Sequence, residues 1–255
     1  MSNNIKIENV IKFYDPVKNP HQREAILLLQ EQLDKLGLTN PEVAWVKKYR
    51  TPNPVPASNN NVISYDSFYN YLDSIPVNKS RLTKDFPIWH KKVINYFNKF
   101  NLESNVYKTV YSHFWSQCLV ETDAFHGLIE YGNYDYFRPY ANHPSLGNEG
   151  SEELAFRYRG AGLTHTTGKY NYTKLSKAMN DPHILTEGAI YVANNYAVES
   201  ATFFWDSVQM IERVIKPSVN RSLREQCEVV TRTVNGGLNH FQQRFNYFVD
   251  ILKIV

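Results

Sequence analysis

The sequence predicts a mainly α-helical domain with one small β element and a ligand cleft between helices. Most segments with a periodic apolar pattern repeat at helical spacing. The glycine-punctuated stretch at residues 156–175, FRYRGAGLTHTTGKYNYTKL, is brief and rich in threonine, which is typical of a small hairpin leading into a helix near Tyr170. Residues 130–159 are rich in Tyr, Gly, Asn and Pro with weak periodicity, as in a functional loop. A largely helical domain places its ligand between helices.

Residues 1–62 are predicted to form a separate N-terminal helical segment and linker. Residues 21–36, HQREAILLLQEQLDKL, have a strong helical pattern, and a second short helix is expected at residues 41–49. The following stretch, TPNPVPASNNN at residues 51–61, has prolines at alternate positions, which disfavour both helix and sheet. The main domain is therefore expected to span residues 63–255.

Within the main domain, apolar residues recur at helical spacing in six segments. The expected helices cover residues 64–72, 89–100, 105–121, 187–206 and 222–234, with a final amphipathic helix in the tail after an Asn-Gly-Gly turn.

A carboxylate lies on the apolar stripe of the helix at residues 105–121. The stripe consists of Tyr107, Tyr111, Phe114 and Cys118, and the next position on it is Glu121. Burial beside aromatic rings and the negative end of the helix dipole would both raise the pKa of Glu121 toward the range of a general acid. The alternative is a solvated carboxylate in the last helical turn.

A second carboxylate, Glu130, follows nine residues after Glu121. Glycoside hydrolysis needs two carboxyl groups in unlike environments, one to protonate the leaving oxygen and one to activate water or attack the sugar. Nine residues across a helix end can place Glu121 and Glu130 on opposite walls of a cleft. The alternative for Glu130 is an ordinary surface carboxylate.

Five motifs in one order resemble glycoside hydrolase family 19 and the related phage endolysins of the lysozyme-like superfamily. The family pattern FLAQ-x-x-HET-GGF, followed by a second Glu, resembles FWSQCLVETDAFHGLIE at residues 114–130, and FNLES at residues 100–104 resembles the turn before it. YRGAGLTHTTGKYNY at residues 158–172 is similar to YRGRG-x-IQLTGR-x-NY. NDPHIL and ATFFW resemble the next elements, and VTRTVNGGLNHFQQR at residues 230–244 resembles VT-x-x-INGGLNG-x-x-DR. The resemblance implies a lysozyme-like fold.

The resemblance also implies roles for individual residues. Glu121 would be the general acid and Glu130 the general base of an inverting mechanism. Thr167 matches a hydroxyl residue that helps hold the attacking water. Substrate contacts are implied for Gln117, His165, Asn171 and Asn235. Arg244 matches an arginine that anchors the fold or orients a carboxylate.

The chain departs from the family pattern at several positions. Val120 replaces the family's His, Asp123 and Ala124 replace its Gly-Gly pair, and His165 replaces its Gln. Catalysis requires none of these residues, but substrate preference can depend on them. Asp123 is expected to be a solvated loop residue because an unpaired Asp is seldom buried.

Charge, apolar stretches and short motifs argue against several other classes of function. The net charge is +3 in 255 residues with no long Lys/Arg run, which does not indicate nucleic-acid binding. No apolar stretch is long enough for a membrane span, and the start MSNNIKIENVIKFYD does not resemble a secretory signal. No metal or other cofactor is expected, since neither HExxH nor histidines at i, i+4 spacing occur and the two glutamates explain a hydrolase without a metal. A serine nucleophile is not expected, because no G-x-S-x-G elbow occurs. Cys118 and Cys227 are expected to be free core thiols, although one disulfide between them is the alternative.

The resemblance implies a muramidase that cleaves peptidoglycan between N-acetylmuramic acid and N-acetylglucosamine. Chitinase activity is the enzymatic alternative, and a glycan-binding module without turnover is the non-enzymatic one. Without a signal peptide, the expected site of action is the bacterial cell wall, reached either as an endolysin released by a holin or as an antibacterial effector delivered by a secretion system. The expected partners are peptidoglycan strands and, for an effector, a cognate immunity protein.

Overall fold

The computed structural model describes residues 63–255, and this part of the chain is mainly helical. The predicted N-terminal segment and linker lie outside the described residues, so the division of domains stays a prediction. The helices in chain order are α1 (Tyr65–Ser74), α2 (Lys79–Lys84), α3 (Phe86–Phe97), α4 (Ser104–Glu121), α5 (Tyr134–Ala141), α6 (Glu152–Arg157), α7 (Lys169–Met179), α8 (His183–Glu187), α9 (Ala189–Asn195), α10 (Ala197–Ser207), α11 (Lys216–Ser218), α12 (Leu223–Asn235) and α13 (Phe241–Ile254). A short 3₁₀ turn spans Asn98–Phe100 and a π-helical turn spans Met210–Ile215.

Helix α4 is the central element of the described domain. Residues 110–119 are buried without interruption, so the helix is covered all round rather than along one stripe. Helix α13 packs along it. Trp115 is fully buried and lies in an aromatic cluster with Phe68, Phe86 and Phe125, at ring-centroid distances of 5.7, 5.3 and 6.1 Å. This packing fixes α4, and Glu121 is the last residue of the helix.

Most predicted helices are present, and one is divided into pieces. The expected helix at residues 187–206 is interrupted at Gly188 and again at Tyr196, so that Glu187 ends α8 and the remainder forms α9 and α10. Gly188 has φ of +67°, and a Cβ there would lie 2.4 Å from the carbonyl oxygen of Arg157. The close approach of α6 therefore requires a glycine in a non-helical conformation, which periodicity does not reveal.

The predicted hairpin is reduced to isolated bridges. Ala161 pairs in antiparallel fashion with both Ile129 and Thr166, and no longer strand forms among the described residues. The helix expected near Tyr170 begins at Lys169, after Gly168 in the left-handed region. These bridges connect the segment after Glu121 to the glycine-rich turn at residues 160–168.

The other expectations for the core concern its cysteines and the end of α3. Cys118 and Cys227 are buried free thiols, so the predicted free state is confirmed. In place of the helix expected at residues 89–100, the structure has α3 at Phe86–Phe97 followed by the 3₁₀ turn. The turn ends where Asn101 takes a left-handed conformation. None of the described helices combines the length and the apolar character needed to cross a membrane.

His113 on α4 is a buried imidazole that stacks on Phe248 of α13. The ring centroids are 3.8 Å apart at an interplanar angle of 6°, and neither ring nitrogen has a hydrogen-bond partner among the described residues. Burial lowers the pKa of His113 to about 3. The folded protein therefore holds this histidine neutral at pH values where the unfolded chain takes up a proton.

Replacing His113 by Phe should make stability less sensitive to acid. Because the folded-state pKa lies below the unfolded value near 6.5, the histidine's contribution is present above pH 6.5 and is lost as the pH falls toward 3. Between pH 7 and pH 5 this loss amounts to roughly 2 kcal/mol, which His113→Phe should abolish. Urea unfolding at pH 7 and pH 5 measures the free energy of unfolding of each variant, and His143→Phe at an exposed histidine is the control. An equal pH dependence of wild type and His113→Phe would contradict this assignment.

Candidate active site

Glu121 is held by a buried arginine from the C-terminal helix. Nη2 of Arg244 lies 2.7 Å from Oε1 of Glu121, and the two side chains are 2% and 15% exposed. Glu121 Oε2 has no hydrogen-bond partner among the described residues. The carboxylate thus has one oxygen fixed by a cation and the other available to a ligand.

The other donors of Arg244 complete a buried network. Nη1 donates to Oε1 of Gln117 at 2.6 Å, and Nε donates to the backbone carbonyl of Asn239 at 3.1 Å. Nε2 of Gln117 donates to Oγ1 of Thr231 at 3.3 Å. Gln117 is completely buried, so it has no surface to offer a substrate. This corrects the predicted substrate contact of Gln117, whose role here is to position Arg244.

Arg244 is a partner of Glu121 that the apolar stripe of α4 does not indicate. Arg244 lies 123 positions along the chain, so no local pattern around Glu121 could indicate it. Arg244 was predicted to anchor the fold or to orient a carboxylate, and its contacts with Glu121 and Gln117 are of this kind.

The chain turns sharply after Glu121 through three left-handed residues. Asp123, Ala124 and Phe125 have φ of +46°, +50° and +68°. The turn is held by Thr122, whose hydroxyl accepts from the N–H of Phe125 and donates to the carbonyl of Cys118. Asp123 and Ala124 are the positions where the related family has two glycines. Non-glycine residues in this region cost free energy, so the loop is held by its hydrogen bonds and by the buried Phe125 ring.

Glu130 lies in surroundings unlike those of Glu121. Its Oε2 accepts the N–H of Gly160 at 3.1 Å, and its Oε1 accepts the phenol of Tyr140 at 2.8 Å. The donors are neutral, and no Lys, Arg or His lies within 4.0 Å of its carboxylate in the described region. Burial and the bond to Glu130 raise the pKa of Tyr140, so the phenol keeps its proton and acts as a donor.

Gly160 allows the close approach of Glu130 to the glycine-rich turn. A Cβ at this position would lie 3.0 Å from Oε2 of Glu130 and 2.9 Å from Cβ of His165. The backbone also pairs here, since the N–H of Glu130 donates to the carbonyl of Gly160 at 2.8 Å. Glu130 and the turn that carries His165 and Thr167 therefore meet at one point.

Thr167 and His165 are fixed by hydrogen bonds within the turn. Oγ1 of Thr167 donates to the carbonyl of His165 at 2.7 Å, so the hydroxyl can only accept from a further partner. Nε2 of His165 lies 2.9 Å from the carbonyl of Gly127, which requires the proton on Nε2 and leaves Nδ1 as an acceptor. His165 thereby joins the turn to the loop between the two carboxylates.

The two predicted asparagine ligands are placed differently. Nδ2 of Asn171 donates to the carbonyl of Thr167 at 2.9 Å, which leaves its Oδ1 available and also supports the turn. Asn235 ends α12, and its Oδ1 is buried with no hydrogen-bond partner among the described residues. An unpaired buried acceptor is costly unless a ligand donates to it. The predicted substrate contacts of Asn171, Asn235 and His165 stay predictions.

Tyr140 is the site residue that the sequence reasoning missed. It lies on α5, in the region predicted only as a long loop, and its phenol is a direct partner of Glu130. The repeated tyrosines at residues 131–140 were the available signal, since a phenol can donate to a carboxylate.

No group of three or more His, Cys, Asp or Glu side chains suited to a metal ion occurs within residues 63–255.

Comparison with known proteins gives a sequence relative and a structural one. No protein-family model matches the sequence. A glycosyl hydrolase family 19 domain-containing protein of Haemophilus influenzae is 34% identical over 109 residues, which are 42% of this chain and 46% of the relative. This chain therefore spans less than half the length of that relative. The crystal structure of chitinase C from Streptomyces griseus HUT6037 matches with a TM-score of 0.53 at 16% identity, over 78% of this chain and 94% of chitinase C.

The comparisons confirm two predictions. The predicted resemblance to glycoside hydrolase family 19 is confirmed by the curated relative. The predicted mainly helical, lysozyme-like fold is confirmed by the match to chitinase C, which at this level of identity shows the fold alone.

Replacing Ala124 by Gly should stabilise the protein. The change removes the left-handed penalty of Ala124, which is offset in part by the lost burial of its methyl group and by the greater freedom of glycine in the unfolded chain, for a net gain of about 0.5 kcal/mol. The same substitution at Ala155, buried within α6, should destabilise by at least a similar amount. Thermal and urea unfolding of both variants measure the difference. A loss of stability for Ala124→Gly would show that the loop is not strained at this residue.

Replacing Arg244 by Ala should destabilise the protein by about 3 to 5 kcal/mol. The change leaves Glu121 and Gln117 without their partner in a buried place. Arg232→Ala on α12 is the matched control, because its pair with Glu228 is half exposed and should contribute less than about 1 kcal/mol. Urea unfolding measures both, and similar losses for the two variants would argue against a special role for Arg244.

Proposed function

We propose that this chain is a glycoside hydrolase that cleaves the glycan of peptidoglycan by acid/base catalysis, as a muramidase. The observation that carries the proposal is the pair of carboxylates at the two ends of one loop, Glu121 against a guanidinium and Glu130 against neutral donors. Two carboxyl groups in unlike surroundings are what glycosidic cleavage requires. The family 19 relative and the fold of chitinase C support this class of reaction.

Glu121 acts as the general acid. Arg244 fixes Oε1, so Oε2 is the oxygen that can carry the proton toward the leaving glycosidic oxygen. Arg244 is itself held by Gln117 and the Asn239 carbonyl, which prevents the pair from rotating when substrate binds. The buried network thus orients the acid without contacting the bond that breaks.

Glu130 acts as the general base on a water molecule that Thr167 helps to hold. The Thr167 hydroxyl gives its own proton to the His165 carbonyl, so it can only accept from the water. A water that donates one hydrogen to Glu130 and one to Thr167 has its lone pair free to attack the anomeric carbon. Attack by a water from the face opposite the leaving group inverts the anomeric configuration.

Peptidoglycan is the proposed substrate, and chitin is the alternative. The short catalytic core resembles the phage and bacterial members of the family rather than the longer, disulfide-bearing plant chitinases, and both cysteines here are free. Chitin is favoured by one observation, that the matched structure is named a chitinase. Both polymers contain N-acetylglucosamine, so the same two carboxylates could serve either reaction.

The proposed setting is attack on the bacterial cell wall. The protein acts there either as an endolysin released through a holin or as an antibacterial effector that a secretion system delivers and an immunity protein neutralises in the producing cell. Both routes bring the chain to peptidoglycan, its proposed substrate.

Glu121→Gln should lower the rate of sacculus digestion by about 100-fold or more, because the amide cannot supply a proton. Thr167→Ala should give a smaller but clear loss, since it affects only the position of the water. Glu228→Gln on the surface of α12 is the control and should retain full activity. Turbidity of purified sacculi and of colloidal chitin, with mass spectrometry of the products, measures the rates and the substrate.

Three outcomes would count against parts of this proposal. An unchanged rate for Glu121→Gln would remove it as the acid, and an unchanged rate for Thr167→Ala would remove that hydroxyl from the site. Activity on chitin alone would refute the peptidoglycan substrate. NMR of the newly formed reducing end decides between inversion and retention.

A further inference from the structure

A surface pocket lies beside the segment that holds Glu130. It has a volume of about 210 Å³, and its lining includes Tyr134, Phe156, Arg159 and Ile190. Arg159 immediately precedes Gly160, whose N–H binds the Glu130 carboxylate. The pocket and the candidate active site therefore share one short stretch of backbone.

Arg159 lines this pocket without a carboxylate at ion-pair distance. Its guanidinium has no carboxylate of the described residues within 4.0 Å, and Glu130 acts on it only from farther away. By contrast, Arg157 pairs with Glu153 at 2.6 Å, and Glu187 lies 3.0 Å from His183. The guanidinium of Arg159 is therefore the cation of this pocket that a bound anion can reach.

The guanidinium of Arg159 is partly withdrawn from solvent. Its recorded hydrogen bond runs from Nη1 to the carbonyl of Phe156 at 2.6 Å, which leaves most of its five N–H donors free. Burial lowers the pKa of Arg159, which shows that its environment disfavours an unpaired charge. A bound anion would relieve this cost.

The guanidinium of Arg159 lies over an aromatic ring. Its central carbon lies 4.1 Å from the centroid of the Phe156 ring, and the Phe156 ring stacks on Tyr134 at 4.2 Å and 11°. A guanidinium placed over a ring keeps its N–H edge available to a planar acceptor, as in bidentate carboxylate recognition. Tyr134 and Ile190, which are 50% and 58% exposed, add apolar surface beside it.

We propose that Arg159 and its pocket bind a free carboxylate of the stem peptide that the muramyl sugar carries. This inference rests on the proposed function, since the substituent belongs to the proposed substrate. Chitin has no such carboxylate. Arg159 is therefore a specificity-determining residue that favours peptidoglycan over neutral glycans, and it does not take part in bond cleavage.

The test uses binding instead of turnover. The probes are soluble disaccharide-peptide fragments of peptidoglycan, either native or with their carboxyl groups converted to amides, and the protein is the full chain carrying Glu121→Gln. In calorimetric titrations the native fragment should bind more tightly than the amidated one. Adding Arg159→Gln should weaken native-fragment binding roughly tenfold or more and leave amidated-fragment binding unchanged. Arg159→Lys, which keeps the charge but loses the planar fork, should give an intermediate loss.

Arg157→Gln is the matched control, because Arg157 lines the same pocket but is already paired with Glu153. It should change neither affinity. The inference is overturned if the Glu121→Gln chain binds both fragments equally, if adding Arg159→Gln weakens both to the same extent, or if adding Arg157→Gln has as large an effect. If the Glu121→Gln chain discriminates the fragments but the wild-type chain digests no sacculi, the proposed function is refuted and the pocket is retained. If the wild-type chain digests sacculi but the Glu121→Gln chain does not discriminate the fragments, the pocket is refuted and the proposed function is retained.

Discussion

The ion pair between Glu121 and Arg244 joins the last residue of the central helix to the C-terminal helix, across 123 positions of sequence. A buried pair of this kind contributes little net stability, because removing two charges from water offsets most of their attraction. Its value is orientation, since Gln117 and the Asn239 carbonyl leave Arg244 a single arrangement. The aromatic core around α4 supplies the stability that holds this network in place.

The second carboxylate depends on a different part of the fold. Glu130 is held by Gly160 and Tyr140, and the turn that carries Thr167 is joined to the intervening loop by His165 and the Gly127 carbonyl. The core thus fixes one carboxylate, and a minimal β structure fixes the other. This division gives the two carboxylates unlike surroundings, a guanidinium at Glu121 and neutral donors at Glu130.

Sequence reasoning found what is local and missed what is distant. Periodicity predicted α4 and identified Glu121, because a carboxylate on an apolar stripe is visible in a window of a few turns. The substrate contact of Gln117 came from the family resemblance, and neither the resemblance nor the stripe reveals that this side chain is completely buried beside Arg244 of α13. The break at Gly188 arises from contact with Arg157, which lies 31 positions earlier in the chain. Arg244 was identified only through the family resemblance. Contacts between remote segments are set by tertiary packing, which no single window contains.

The loop between the carboxylates shows why the site can tolerate a departure from the family pattern. Where the family has two glycines, Asp123 and Ala124 adopt the left-handed conformation that glycine would take without penalty. The backbone conformation is therefore imposed by the fixed ends of the loop, namely the Thr122 hydrogen bonds, the buried Phe125 ring and the bridge at Ile129. Because the side-chain anchors of Glu121 and Glu130 do not involve residues 123 and 124, the non-glycine residues at these positions cost stability while leaving both anchors in place.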